Sequence, residues 1–234
     1  MNKNGNNEGS IRKRANGFGH SQAQRAVHAA KKPQNVLTSG ADGGIMEHER
    51  MRSSSDYAVP KDLVQSREFR KKFDSMDSDK SIQREYYQTA KEMLSYRSGT
   101  NGEDLYYYNS RLKKWYKSTS GTQAGTPDYT EEIKQGLRES NAGEIVSFHN
   151  HPLGMPPSAA DLNAALRNGY QKGYTIGHNG VIFEYTAPIH LIDEPIYNNR
   201  IGSHIEKGNN EFEAQINALI DLQKLYKFRF REVK

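Results

Sequence analysis

Ser147-Phe148-His149-Asn150-His151-Pro152-Leu153-Gly154-Met155-Pro156-Pro157-Ser158-Ala159-Ala160-Asp161 sets three metal-ligand side chains within the thirteen residues from His149 to Asp161. Side chains two apart on an extended strand face the same way, so His149 and His151 can present their imidazoles together. The preceding Glu144-Ile145-Val146-Ser147-Phe148 is apolar and β-branched, which predicts a strand over 144–149. Pro152 ends it, because proline cannot donate to a ladder. Ser158-Ala159-Ala160-Asp161 then opens a helix, with Ser158 as N-cap and Asp161 as the acid of a capping-box-like pair. A helix begun there fixes the Asp161 carboxylate on its first turn, facing the strand end. Two imidazoles and a carboxylate leave a tetrahedral zinc one open position for water, the layout of a catalytic rather than a closed structural site. Two histidines two apart often occur by chance; strand, His-x-His-Pro, proline-rich loop and Ser-x-x-Asp in succession are far more specific.

Outward from this run, the spacing predicts alternating elements. Upstream come a short helix over 64–73, a turn over 74–79, and a helix capped by Ser81 that runs to about Tyr96 with Ile82, Tyr86, Ala90, Met93 and Leu94 on one face. Residues 105–108 and 114–117 form a hairpin, in which Trp115 is a packing residue. An amphipathic helix over 129–138 carries Ile133 and Leu137. Downstream, a helix over 158–168 stops at Gly169. Residues 172–177 and 181–185 form a second hairpin around Asn179-Gly180, with His178 exposed beside the turn. A helix over 211–226 and an alternating edge strand from Phe228 to Arg231 follow. This order defines an α/β protein with a mixed sheet flanked by helices.

The chain has 234 residues, enough for one domain of ordinary size with appendages. It has no cysteine, so a metal must take His, Asp, Glu or water, and the redox compartment stays open. No apolar run approaches the roughly 18 residues of a membrane span. Met1 to Glu8 lacks the apolar core of a signal peptide. The expected location is cytoplasmic, with virion association or export by another route as alternatives. Residues 1–60 hold nine Lys/Arg and five Asp/Glu, so they contribute +4 of the overall +5. They are rich in Gly, Ser, Asn and Gln, with Phe18 and Tyr57 as their aromatic residues. Such a segment buries little apolar surface and is expected to be disordered or a linker, with a nascent helix over 21–32. Arg12-Lys13-Arg14 and Lys31-Lys32 could make weak nucleic-acid contact; no aromatic platform accompanies them, which favours a solvated tail. Residues 61–234 are the foldable unit.

The His-Asn-His-Pro run with Ser158 and Asp161 resembles the metal-binding signature of the JAB/MPN (JAMM) metallopeptidase family: an upstream glutamate, His-x-His-Pro, then Ser-x-x-Asp. More narrowly, residues from about 66 to 234 are similar to JAB-like domains of phage minor-head (head-morphogenesis) proteins and of some bacterial polymorphic-toxin proteins. The shared stretches are Arg97-Ser98-Gly99-Thr100-Asn101-Gly102-Glu103-Asp104-Leu105, the His149 to Pro152 run, Gly177-His178-Asn179-Gly180-Val181-Ile182-Phe183-Glu184-Tyr185, and Glu211-Phe212-Glu213-Ala214-Gln215 through Leu225-Tyr226. One departure is plain: six residues (152–157) separate His151 from Ser158, where the family pattern has seven.

The resemblance implies an MPN fold, Zn2+ held by His149, His151 and Asp161, and a glutamate as general base. Glu103 is the chosen base, because it follows a Gly-Thr-Asn-Gly breaker and opens a strand, the junction at which the family places it. Glu92 is the runner-up, on what the helical spacing suggests is a solvated face, and Glu144 is too close in sequence to fold over the metal. Asp104, the neighbouring acid, is expected to be an exposed strand-start residue. Ser158 is expected to donate to the oxyanion. The implied reaction is zinc-dependent hydrolysis of a peptide or isopeptide bond in a protein or peptide substrate, in a phage, mobile-element or toxin setting. Two alternatives remain: a non-catalytic MPN-like binding or scaffold module, and a nucleic-acid-associated phage accessory protein.

Overall fold

The computed structural model describes residues 54–119 and 127–234. The disorder, nascent helix and basic cluster expected before residue 54 lie outside the described residues. Residues 54–60, expected to belong to the linker, are part of the folded body. Val59 is buried in the core, the Ser54 amide donates to the Gly99 carbonyl at 2.9 Å and the Gly99 amide to that of Tyr57 at 2.9 Å.

Helices α1 (Lys61–Gln65) and α2 (Arg67–Lys71) stand where the spacing predicts one helix over 64–73. Ser66 divides them: its backbone is extended and its hydroxyl accepts from the Phe69 amide, the geometry of an N-cap inserted into an apolar run. Helix α3 (Lys80–Arg97) is capped by Asp79 rather than Ser81, and the Ser81 amide and hydroxyl both donate to the Asp79 carboxylate. Strands β1 (Leu105–Asn109) and β2 (Lys114–Ser118) form the first hairpin, followed by α4 (Glu131–Glu139) with Thr130 as cap. Strand β3 (Ile145–His151) runs two residues beyond the predicted 149 and so includes both histidines. Helix α5 (Ala159–Asn168) starts at a complete capping box of Ser158 and Asp161 and stops at Gly169, which takes the left-handed φ of 63°. Strands β4 (Tyr170–Gly177) and β5 (Ile182–Tyr185) form the second hairpin. Helix α6 (Glu194–Glu206) was not legible in the sequence; α7 (Glu211–Tyr226) was, and β6 (Phe230–Glu232) ends the sheet as an edge strand.

The six strands lie in the order β2-β1-β3-β4-β5-β6, with β3 and β4 parallel and every other pair antiparallel. Helix α5 is the crossover that a parallel pair requires. The fold is therefore α/β, a mixed sheet flanked by seven helices among the described residues. Parity sorts the two cores. Val146, Phe148, Tyr174 and Ile176 pack with Phe69, Phe73, Tyr86 and Met93 of the N-terminal helices. Leu105, Tyr107, Ile145 and Tyr185 pack with residues of α4 to α7, among them Ile133, Leu162, Tyr197 and Leu219. An irregularity in register opposite Ile145 and Val146, which pair with Tyr170 and Lys172, skips one residue of β4; such a bulge re-aims a side chain, and Tyr170 joins the second core while Tyr174 and Ile176 stay in the first. Trp115 is partly buried against the first core, as a packing residue. No helix among the described residues is long and apolar enough to cross a membrane.

Candidate metal centre

On β3 the residues 145, 147, 149 and 151 share the face covered by α4 to α7, so His149 and His151 project from the middle of the sheet under the start of α5. Both rings are buried, and their Nε2 atoms lie 2.9 Å apart. Asp161, on the first turn of α5, brings Oδ1 to 3.3 Å from His149 Nε2 and Oδ2 to 3.6 Å from His151 Nε2. The ligand atoms of all three lie within 4.8 Å of one another. His151 Nδ1 faces the Met155 carbonyl at 2.7 Å; a carbonyl can only accept, so Nδ1 carries a proton and Nε2 is the ring atom turned to the cluster. Two nitrogen donors and one carboxylate oxygen fit a zinc ion with an open position.

Asp161 is ready to carry charge. Burial by itself would raise its carboxyl, but the facing His149, then His151 and the Ser158 amide outweigh burial and hold it well below the usual carboxylate range. Its Oδ2 accepts from the Ser158 amide at 2.7 Å and from the Ser158 hydroxyl at 2.8 Å, while the Asp161 amide donates back to Ser158 Oγ at 3.3 Å. Ser158 is thus cap and ligand-orienting group at once.

The short loop between His151 and Ser158 is held from outside. The Pro156 carbonyl accepts from Gln215 Nε2 at 3.1 Å and the Pro157 carbonyl from the Tyr197 hydroxyl at 3.1 Å, so α6 and α7 both fix the start of α5. Gly154, at φ +69°, turns the chain back so that its amide reaches the His151 carbonyl at 2.8 Å. A side chain there would collide with Asn179, 2.3 Å from where a Cβ would stand. Periodicity gave no sign of these contacts; the only sequence signal was the proline pair itself.

Glu103 sits just upstream of β1. Leu105 pairs with His149 in antiparallel register, and Glu103, two residues upstream, lies close enough to His151 and Asp161 to feel their charges. It is buried, and burial pushes its carboxyl up to about 7, with His151 pulling it down and Asp161 pushing it up. Its oxygens are not among the atoms clustered within 4.8 Å. Glu92 has a 63 % exposed side chain paired with Lys117 at 2.9 Å, and Glu144 is held at the rim by Arg111 and Asn141. Neither faces the cluster.

Two expectations are overturned. Asp104 is not an exposed acid but fully buried, taking Arg97 Nε at 2.6 Å. His178 is not exposed beside its turn; it is 2 % exposed, with Nδ1 2.7 Å from the Tyr57 carbonyl and Nε2 3.1 Å from Asn150 Nδ2. The His178 error concerns a partner 121 residues away, whereas Asp104 is paired with Arg97 only seven residues upstream, across the helix-to-strand turn.

The fold and this centre together define an α/β protein with a His-His-Asp cluster, its two histidines buried, that could hold a metal ion. The chain matches no family model, no curated protein and no solved structure.

Proposed function

We propose that this protein is a zinc-dependent hydrolase that cleaves a peptide or isopeptide bond, a JAMM-type metallopeptidase acting in the cytoplasm in a phage, mobile-element or toxin setting. The observation that carries the reading is the convergence of His149, His151 and Asp161 beside a buried glutamate whose carboxyl is pushed up to about 7. His149, His151 and Asp161 would hold the zinc, which when bound would supply an electrophile and a water of pKa about 7. Glu103 accepts the proton of the attacking water and passes it to the leaving amine, work suited to a buried carboxylate set beside the cluster. Its burial keeps bulk water from competing for that proton. His151 is fixed for its role by the Met155 carbonyl, and Asp161 by the capping box.

Metal analysis tests the reading. Protein purified without chelator should carry about one zinc per chain, lost in His149→Ala and in Asp161→Ala. Well-folded wild-type protein free of metal under those conditions would reject it.

Ser158 marks where a second reading, a metal-holding binding or scaffold module, finds support: its hydroxyl already donates to Asp161 Oδ2. To serve an oxyanion, that proton must turn from Asp161 to the substrate. In the hydrolase reading, Ser158→Ala keeps zinc, loses about 1 kcal/mol of stability with the cap, and lowers turnover about 10²- to 10³-fold, the size of one oxyanion donor. Unchanged turnover in a variant carrying only the stability loss would reduce Ser158 to a cap and ligand holder.

A further inference from the structure

We propose that Asn150, the residue between the two ligand histidines, is the positioning residue for Glu103. The inference rests on the reading of Glu103 as general base.

Strand parity turns Asn150 away from the metal cluster, towards the sheet face that carries Val146 and Phe148, and it is completely buried. Its Oδ1 accepts from the Asp104 amide at 2.8 Å, and its Nδ2 donates to the Gly102 carbonyl at 2.9 Å. These two groups belong to the peptide units on either side of Glu103. Residues 103 and 104 lie outside the β1 ladder, so this side chain supplies the hydrogen bonds that a neighbouring strand would otherwise give. A buried backbone amide must meet an acceptor and a buried carbonyl must meet a donor, so the side-chain amide has only one workable orientation.

The second Nδ2 proton points to His178 Nε2 at 3.1 Å, and His178 Nδ1 donates to the Tyr57 carbonyl at 2.7 Å. His178 therefore stands behind Asn150 and fixes its rotation, and residue 57 is joined to the site through two side chains. Few other residues could replace the amide. Aspartate cannot donate to the Gly102 carbonyl, serine and threonine cannot span both peptide units, and glutamine is one methylene longer. The His-x-His segment thus uses both faces of one strand: odd residues offer ligands, and the even residue between them holds the base at its height above them. A shift of about 1 Å in a reacting group is enough to cost on the order of 10²-fold.

Loading metal-free protein with Co2+ tests this without a substrate, because the visible absorption of Co2+ changes with pH as protons exchange at its open position beside Glu103. Glu103→Gln is expected to move the midpoint of that change by about 1 pH unit or more, the size of a neighbouring charge removed, and Asn150→Ala, which displaces that charge, to move it measurably in the same direction and by no more. The double variant should move it no further than Glu103→Gln alone, and all should bind one Co2+ per chain. If Glu103→Gln shifts the midpoint while Asn150→Ala leaves it at the wild-type value, or if the two shifts add, the positioning role is wrong and the base reading stands. If Glu103→Gln itself leaves the midpoint unmoved, the base reading falls and takes the proposal with it. Loss of Co2+ in Asn150→Ala would place the residue in ligand geometry instead and overturn the proposal. Should Asn150→Ala not fold, Asn150→Ser carries the same comparison. Failure of both to fold would make Asn150 a determinant of the fold, and the proposal would be rejected.

Discussion

Glu103→Gln is expected to keep its zinc and to lose about 10²- to 10⁴-fold of turnover on any substrate that His151→Ala leaves uncut, the usual contribution of a positioned general base. The same substitution should stabilise the metal-free protein. Burial raises the Glu103 carboxyl from 4.5 to about 7, so in the metal-free fold the proton is held more tightly than in the unfolded chain. Stability then falls as pH rises from about 4.5 to about 7, and the loss is complete above that window. A displacement of this size corresponds to about 3 kcal/mol, which glutamine, carrying no charge, does not lose. With chelator present, Glu103→Gln should therefore unfold at higher urea than wild type at pH 8 and at nearly the same urea at pH 4. Zinc reverses the comparison, because a bound cation favours the ionised carboxylate. Equal denaturation midpoints at pH 8, or a variant with full turnover, would remove Glu103 from the role, and among the described residues the neighbouring acids do not replace it with equal ease: Glu92 is paired outside with Lys117 and Asp104 is committed to Arg97.

Much of this centre was legible because it is local. His149 and His151 share a face by the two-residue period of a strand, and Ser158, Asp161 and Gly169 are start and stop signals that act within a few residues. The helix over 211–226 was equally plain in extent, but not in face: the spacing of Phe212, Ile216, Leu219 and Ile220 marks one stripe, whereas the buried residues are Ala214, Ala218, Leu219 and Leu222 and Ile220 is exposed. Helix α6 was not, because Asn198, Asn199 and Gly202 are weak helix formers and only Tyr197 and Ile201 are buried, too few to make a stripe. The polar framework was not legible for a different reason. Asn150 reaches Gly102 and Asp104, Gln215 reaches Pro156, and His178 reaches Tyr57 across separations of 46 to 121 residues. No periodicity marks such pairs. A polar residue at a turn looks exposed in the sequence whether its partner is water or a distant backbone group, which is why His178 was misplaced; Asp104 was misplaced because nothing in the pattern shows that the end of α3 folds Arg97 back onto it.

The buried pair next to the base carries the largest stability effect. Arg97 and Asp104 are 4 % and 0 % exposed at their side chains, and Arg97 Nη2 also donates to the Thr119 carbonyl at 3.1 Å. Burial lifts the Asp104 carboxyl above its ordinary value even though Arg97 and the Tyr106 hydroxyl pull it down, so desolvation here is not fully offset by the pairing. Two consequences follow for denaturation measured by urea. Asp104→Ala strands a buried guanidinium and should cost about 3–5 kcal/mol, whereas Arg97→Met with Asp104→Leu together should recover most of that loss, since removing both charges also removes both desolvation costs. The double variant should also keep zinc, because the hydrogen bond from residue 104 to Asn150 comes from its backbone amide and not from the carboxylate. A cost below about 1 kcal/mol for Asp104→Ala would mean that water reaches the guanidinium and the pair is not a dry one. A double variant that stays as unstable as Asp104→Ala would mean that Arg97 is needed for its bond to Thr119, which closes the first hairpin over α3, more than for its charge.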